Sequence, residues 1–495
     1  MTDTRAARKE LLRRRRDQHR SPSGHPTAAE WAAESRRVGT QLPPSGQLGV
    51  PERRMWRIHQ LDPDSVSHNI TLALTVAGTS AERLIAGIES VVARAEVLGS
   101  VIIVDDETPR RAGVEIGGRW AEPGRVWVLG GEPLGAGCSP AQTASALART
   151  PFDLTREAPV RARVFPADAD HQVAVVLSFH HLAVDDTSWP LLLGSILTGE
   201  WRVDMAGGDS PVRRHSTGEQ DRATSDDVRT ALAVEHARAT WAAGGVRFPF
   251  SGELPATTAE QSWLAPLHEA PGRQLRRDLD SVDLAAFTSF ASIVGGTGNA
   301  ALVVLIALTV TAVTGAADHV LLVPADNRQP GQRPDRVGYC GNIIPIRFTF
   351  DPAATVGQTM RAGLAATYAA MSYADVDFGS ILTALRNSGG RFPVVEVLGS
   401  VRSAPTRGIP VADGMSVEYR SVSAGIVPYP LMLAVELAGA TRAHLEVDYQ
   451  TATGEVLAEH AAAIVATLLR RIPAAPDDPL AIVLAQAKAT AAGAQ

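Results

Sequence analysis

The chain has 495 residues, 45% of them hydrophobic and 20% charged, with a formal net charge of −6. That length exceeds what one core normally supports, so two lobes of a globular enzyme are expected and a disordered protein is not. No basic field is present to recruit nucleic acid, the most apolar run (Ala300 to Val313) is too short to span a bilayer, and two distant cysteines, Cys138 and Cys340, make no disulfide framework.

Residues 1–45 read as an extension, and its start lacks the apolar core of a signal peptide, which points to the cytoplasm. The Arg8–Arg16 run within it is either a solvated basic tail or a docking segment for an acidic partner such as a carrier protein. A first lobe is expected over 46–225. Pro51 to Gln60 patterns as an amphipathic helix and Asn69 to Val76 as a strand. Thr79–Glu82 has the form of a capping box, with Leu84, Ile85, Ile88, Val91 and Val92 following at helical spacing. A helix over Ser139–Arg149 and a strand over Val160–Phe165 come next.

A Val-rich strand from His171 then delivers His180–His181–Leu182–Ala183–Val184–Asp185–Asp186. Neighbouring strand residues face opposite ways, so one imidazole can enter a cleft while the other packs behind it. Thr187, Ser188 and Pro190 mark a helix start. A histidine held between strand and helix suits proton transfer near neutral pH. Metal binding is not expected, because adjacent strand histidines diverge and no further ligands stand at the right spacing.

Ser210–Asp227, polar and charged, is the expected linker. The second lobe is expected over 226–475, opened by a helix at Glu235–Gly244 with Trp241. The apolar helix over Ala300–Val313 follows, then strands at His319–Pro324, Ile343–Phe350, Val394–Val401, Leu431–Leu437 and His444–Tyr449. A helix over Gly454–Leu469 closes the lobe, and 476–495 reads as an Ala-rich tail. Strands alternating with helices in both halves predict an α/β protein.

His180–Asp185 resembles the His-His-x-x-x-Asp-Gly signature of the condensation-domain superfamily, which includes nonribosomal peptide synthetase condensation domains and related acyltransferases. Pro151–Leu154 and Pro159–Ala162 are similar to the family's lead-in, and Asn327–Arg328 with Gly338–Arg347 to its later block. Weaker similarity runs from about Gly49 to Leu469. The resemblance implies two chloramphenicol-acetyltransferase-like lobes in a V-shaped pseudodimer, with the active site at the seam. It implies a free-standing condensation enzyme of secondary metabolism, such as antibiotic biosynthesis, joining a carrier-bound acyl or aminoacyl thioester to an amine or alcohol. No cofactor is bound; phosphopantetheine arrives on a partner acyl or peptidyl carrier protein, and neither nucleic acid nor membrane is a partner.

By the same resemblance His181 is the catalytic residue, either as general base or by positioning the nucleophile and stabilising the intermediate. His180 packs behind it, and Asp185 pairs with an arginine, Arg94 or Arg328, to orient it. Ser188 and Asn342 are candidates for the substrate tunnel; helix capping is the other role for Ser188, seam organisation for Asn342. Arg94–Ser100 keeps the family's Arg94, Glu96 and Leu98 but carries Ala95 and Gly99 where a His and a second Arg are usual.

Asp186 stands where the signature has Gly, adding a negative charge that favours a protonated His181 or obstructs a carboxylate-bearing substrate. A double Asp also occurs in recruitment-type members, which bind oxygenases and usually lack the second His that this chain retains. Two alternatives therefore stand beside the enzyme: a silent module recruiting a tailoring enzyme or carrier protein, and an acyltransferase using acyl-CoA.

Overall fold

The computed structural model describes residues 44–105, 108–114, 126–130, 138–166, 168, 171–199, 219–242, 269–326, 328, 337–388, 396–409, 411, 413–439 and 442–493. The first half runs β1 (Pro44–Gln47), α1 (Val50–Leu61), β2 (Asn69–Ala77), α2 (Ala81–Arg94), β3 (Ser100–Asp105), β4 (Thr108–Gly113), β5 (Trp127–Val128), α3 (Pro140–Ala148), β6 (Val160–Val164), β7 (Gln172–His180) and α4 (Ser188–Thr198). The second half begins with α5 (Glu219–Ala239), β8 (Ala270–Leu279), α6 (Ser281–Ile293), α7 (Gly298–Thr314), β9 (Asp318–Asp326), β10 (Gly341–Thr349), α8 (Val356–Met371) and α9 (Phe378–Asn387). It ends with β11 (Val397–Ser403), β12 (Ser416–Val422), β13 (Ile426–Val427), β14 (Leu431–Leu437), β15 (Ala443–Gln450), α10 (Glu455–Ala474) and α11 (Leu480–Gly493). The fold is mixed α/β.

β7 is the middle strand of a five-stranded antiparallel sheet ordered β12-β2-β7-β6-β5. Its Val-rich stretch is buried on both faces, as a near-continuous apolar run requires. α2 packs its Leu84, Ile85, Ile88, Val91 and Val92 stripe onto that sheet and against α4. The two helices approach so closely at Gly87 that a Cβ there would stand 2.3 Å from the Ile196 carbonyl oxygen. β12 belongs to the second half of the chain, yet it pairs antiparallel with β2 from Ser416↔Ala77 to Val422↔Thr71. The first sheet is therefore completed by the second half.

A seven-stranded sheet, ordered β10-β9-β11-β14-β15-β8-β13, organises the second half. Alternate residues of β11, β14 and β15 (Val397, Leu433, Val435, Leu445, Val447) enter a core with α7 and α10. α7 is apolar all round and buried all round, as a helix inside a large core should be. No single described helix is long and apolar enough to cross a membrane. The other sheet face packs on α5 and α9 through Val320, Leu322 and Leu398 at one end, and elsewhere carries the charged residues Arg276, Arg402, Glu436 and Glu446.

Several expectations need correction. Ser80, not Thr79, caps α2, its hydroxyl accepting from the Arg83 N–H, so the Thr79–Glu82 capping box does not form. The boundary expected at 225/226 falls inside α5, whose Ala233, Val234 and Ala237 pack into the second half. The start of the first lobe at 46 cuts β1. The Ala-rich end is no tail: Leu480, Val483, Ala487 and Ala491 of α11 are buried beside α10 and α7, because alanine favours helix and permits close packing. The Arg8–Arg16 run, residues 210–218 of the expected linker, and Asn327 lie outside the described residues.

Candidate active site

β7 ends at His180, and the two histidines diverge as strand geometry dictates. His180 is 1% exposed and packs among His59 (ring centroids 5.1 Å apart), His68 (6.0 Å) and Phe152 (6.0 Å). Its Nδ1 accepts the Leu182 N–H at 3.1 Å. Burial brings the pKa of His59 down to about 4 and of His68 to about 3, and holds His180 well below the ordinary 6.5, so all three are neutral.

His181 turns the other way. Its backbone N–H is held by the His68 carbonyl at 2.8 Å, and its ring meets the edge of Tyr339 at 4.9 Å. Nδ1 lies 2.7 Å from the Val184 carbonyl oxygen. A carbonyl only accepts, so Nδ1 carries the proton and Nε2 presents a lone pair. No described residue hydrogen-bonds Nε2. The ring is thus fixed in the tautomer and orientation that a proton acceptor requires.

Asp185 fixes the turn behind it. Arg328 donates to both its oxygens at 3.0 and 2.9 Å, the Ser188 N–H and hydroxyl donate at 3.0 and 2.8 Å, and the Cys340 N–H donates at 2.9 Å. The two arginines left open by the sequence are thereby separated: Arg94 ends α2 exposed, because the helix phase that buries Val91 and Val92 turns it outward. Thr187 extends the same link between halves, donating to Asp326 at 3.1 Å.

Neither tunnel candidate faces open space. Ser188 is fully buried in the Asp185 cluster, and its hydroxyl caps nothing; it is the first residue of α4 and gives its own N–H to Asp185. Asn342, 2% exposed, donates to the carbonyls of Ala374 and Val376 at 2.9 and 2.7 Å. Its Oδ1 accepts from the Phe378 N–H at 3.1 Å and from Arg54 of α1 at 3.2 Å. Saturated amides and hydroxyls of this kind brace structure and have no capacity left for a substrate.

Asp186 differs from its neighbour. Its side chain is solvent-exposed, yet surrounding protein raises its pKa by desolvation, an effect opposed by Arg402 and His181 and reinforced by Asp185 and Glu436. Across the seam, a cleft of about 470 Å³ opens between α1 of the first half and α9 of the second, lined by Arg53, Arg54, Arg57, Asp377, Ser380 and Thr383. Arg54 pairs with Asp377 and donates to the Gly341 carbonyl at 2.7 Å, two residues from Tyr339. Among the described residues, no group of His, Cys, Asp and Glu is arranged to hold a metal ion.

The Condensation domain family matches residues 51–486. The chain belongs to the condensation-domain family. The family's chemistry is amide-bond formation in nonribosomal peptide synthesis. The first condensation domain of the CDA synthetase superposes with a TM-score of 0.65 at 17% identity, covering 88% of this chain and 98% of that one. The starter condensation domain of rhizomide synthetase, solved with C8-CoA, gives 0.66 at 16% identity over 91% and 99%. Among whole synthetases, the fusarin C synthetase of Gibberella fujikuroi is 21% identical over 426 residues, which is 83% of this chain and 10% of that protein. The phosphinothricin tripeptide synthetase of Streptomyces viridochromogenes is 22% identical over 354 residues, 68% of this chain and 31% of that protein. The chain thus spans a small part of the curated synthetases it matches.

For a condensation domain, the residues missed in the sequence are those that complete the setting of His181. Tyr339 sat unremarked inside the Gly338–Arg347 block. Arg54 lay in a helix read for its apolar face alone. The carboxylates and arginines of β11, β14 and β15 alternate with core residues in apolar strands, a signal that such charges must find partners.

Proposed function

We propose that the chain joins a carrier-bound acyl or aminoacyl thioester, supplied in trans, to an amine acceptor, with His181 taking the nucleophile's proton. The observation that carries this reading is the Nδ1–H bond to Val184, which leaves the Nε2 lone pair of His181 open. The amine attacks the thioester carbonyl, the C–N bond forms, and Nε2 accepts the displaced N–H proton. Collapse of the tetrahedral intermediate breaks the C–S bond, and the thiolate regains a proton from the imidazolium. An alcohol in the same position would give an ester. Asp185 and Arg328 position the ring and do not react. The Arg53–Arg54–Arg57 wall of the seam cleft suits the phosphate of a phosphopantetheine arm.

Two other readings have specific support. Asp186 in place of the signature Gly favours a silent recruiting module, and the C8-CoA complex of the rhizomide domain favours a CoA-bound donor. One experiment separates the three. Octanoyl-carrier protein and octanoyl-CoA are each offered with a panel of amines and alcohols, and products are read by mass spectrometry for wild type and His181→Ala. We expect product from the carrier thioester, reduced at least about 100-fold in His181→Ala. Product from CoA alone would move the reading to an acyl-CoA transferase. No product, with carrier binding intact, would make the chain a recruiting module.

A further inference from the structure

Building on the acyl-transfer reading, we propose that Asp186 selects acceptors bearing a second, cationic group, such as diamines, over acceptors bearing a carboxylate. Asp185 is consumed by Arg328, Ser188 and Cys340, whereas Asp186 accepts no hydrogen bond from a described residue and reaches solvent. It interacts with His181 on its own side of the seam and with Arg402 and Glu436 on the other.

The opposing wall is the face of the seven-stranded sheet turned away from α7 and α10. Arg276 bonds Glu436 at 3.2 Å and Glu446 at 3.1 Å. Arg402 bonds Glu436 at 3.2 Å and pairs with Glu446, while also acting on Asp186 and Asp448. Tyr419 of β12 gives its hydroxyl to Glu436. Two guanidinium groups therefore serve four carboxylates, Asp186, Glu436, Glu446 and Asp448. The two glutamates are 1% exposed and saturated, so the excess negative charge falls on Asp186 and Asp448. The pKa of Asp448 stands at about 6, through burial first and then Glu446.

Asp186 stays exposed, so its effect on a charged acceptor is partly screened by water, but like charges still repel as opposite charges attract. An ammonium group a few bonds from the nucleophilic amine adds a countercharge at Asp186, whose nearby Arg402 is shared with Glu436, Glu446 and Asp448, while the amine meets Nε2 of His181. A carboxylate at the same distance would face Asp186 directly.

The test compares 1,4-diaminobutane, butylamine and 4-aminobutanoate at pH 8 and constant ionic strength, using the full chain. Binding is read as the rise in melting temperature, which needs no turnover. We expect diaminobutane to raise the melting temperature of wild type and of His181→Ala, and to bind at least about tenfold more tightly than either other amine, about 1.4 kcal/mol. Asp186→Asn and Asp186→Gly should lose that preference, the second guarding against a folding defect in the first. In the acyl-transfer assay, the diaminobutane to 4-aminobutanoate ratio of kcat/KM should fall by the same factor in these variants. Equal binding of the three probes, or a preference kept in both variants, overturns the proposal. Acyl transfer without charge preference removes the Asp186 role alone; Asp186-dependent diamine binding without any transfer removes the acyl-transfer reading alone.

Discussion

Asp185 and Asp186 are adjacent carboxylates with different surroundings, and the histidines before them divide in the same way. His180 lies in an imidazole cluster that stays neutral through burial, and this makes the stability of the protein depend on pH. Below about pH 6.5 an unfolded histidine takes a proton that folded His59, His68 and His180 refuse until far lower pH. Their contribution is therefore complete above about pH 6.5 and is lost as the pH falls toward 4, at up to about 1.4 kcal/mol per pH unit for each histidine. Asp448 acts in the opposite sense. Its pKa of about 6 means the folded state binds its proton first, offsetting about one histidine between pH 6 and 4. Urea unfolding measured from pH 8 to 4.5 should show stability level above about pH 7 and declining steeply below 6, with a shallower decline in His59→Phe. A profile flat to pH 4.5 would mean that the cluster is not held neutral.

At the scale of elements, the turn after β7 is positioned by α4, and α4 is positioned by α2. Their contact depends on Gly87, where an added Cβ would meet the Ile196 carbonyl. Gly87→Ala should therefore lower stability by about 1–3 kcal/mol despite alanine's better helix propensity, read as a lower urea midpoint. An unchanged or higher midpoint would show that α4 shifts without cost. The elements legible in the sequence are those whose pattern and environment agree. β7 is a Val-rich run that is buried on both sides, and α7 is an apolar helix inside a core. β8 escaped notice because Arg273, Gln274, Arg276 and Arg277 mask a strand whose Leu275 and Leu279 reach the core. α11 escaped because alanine repeats carry little contrast between buried and exposed faces.

At the scale of the whole molecule, the five-stranded and seven-stranded sheets, with the two largest apolar cores, are tied together by contacts that cross the seam. β12 extends the first sheet, Tyr339 joins Trp56 and Leu182 in a shared cluster, and Arg328 clasps Asp185. The Arg328–Asp185 pair is 7% and 10% exposed, so removing one partner strands a buried charge. Arg328→Ala should cost about 3–5 kcal/mol in urea unfolding, and Arg328→Lys should recover only part of it, lacking the two-pronged geometry. A loss below about 1 kcal/mol would mean that water replaces the arginine.

The sequence by itself determined the α/β class, the strand that carries the histidine pair, the opposite facing of the two rings and the resemblance to condensation domains. Those follow from short-range rules: side-chain period, capping and a local motif. Tertiary structure decided which arginine meets Asp185 and that Ser188 and Asn342 are spent on bracing. Each of these depends on contacts between residues 140 or more positions apart or on the burial of a side chain. No periodicity within a segment encodes such pairings; the packing of the two halves creates them.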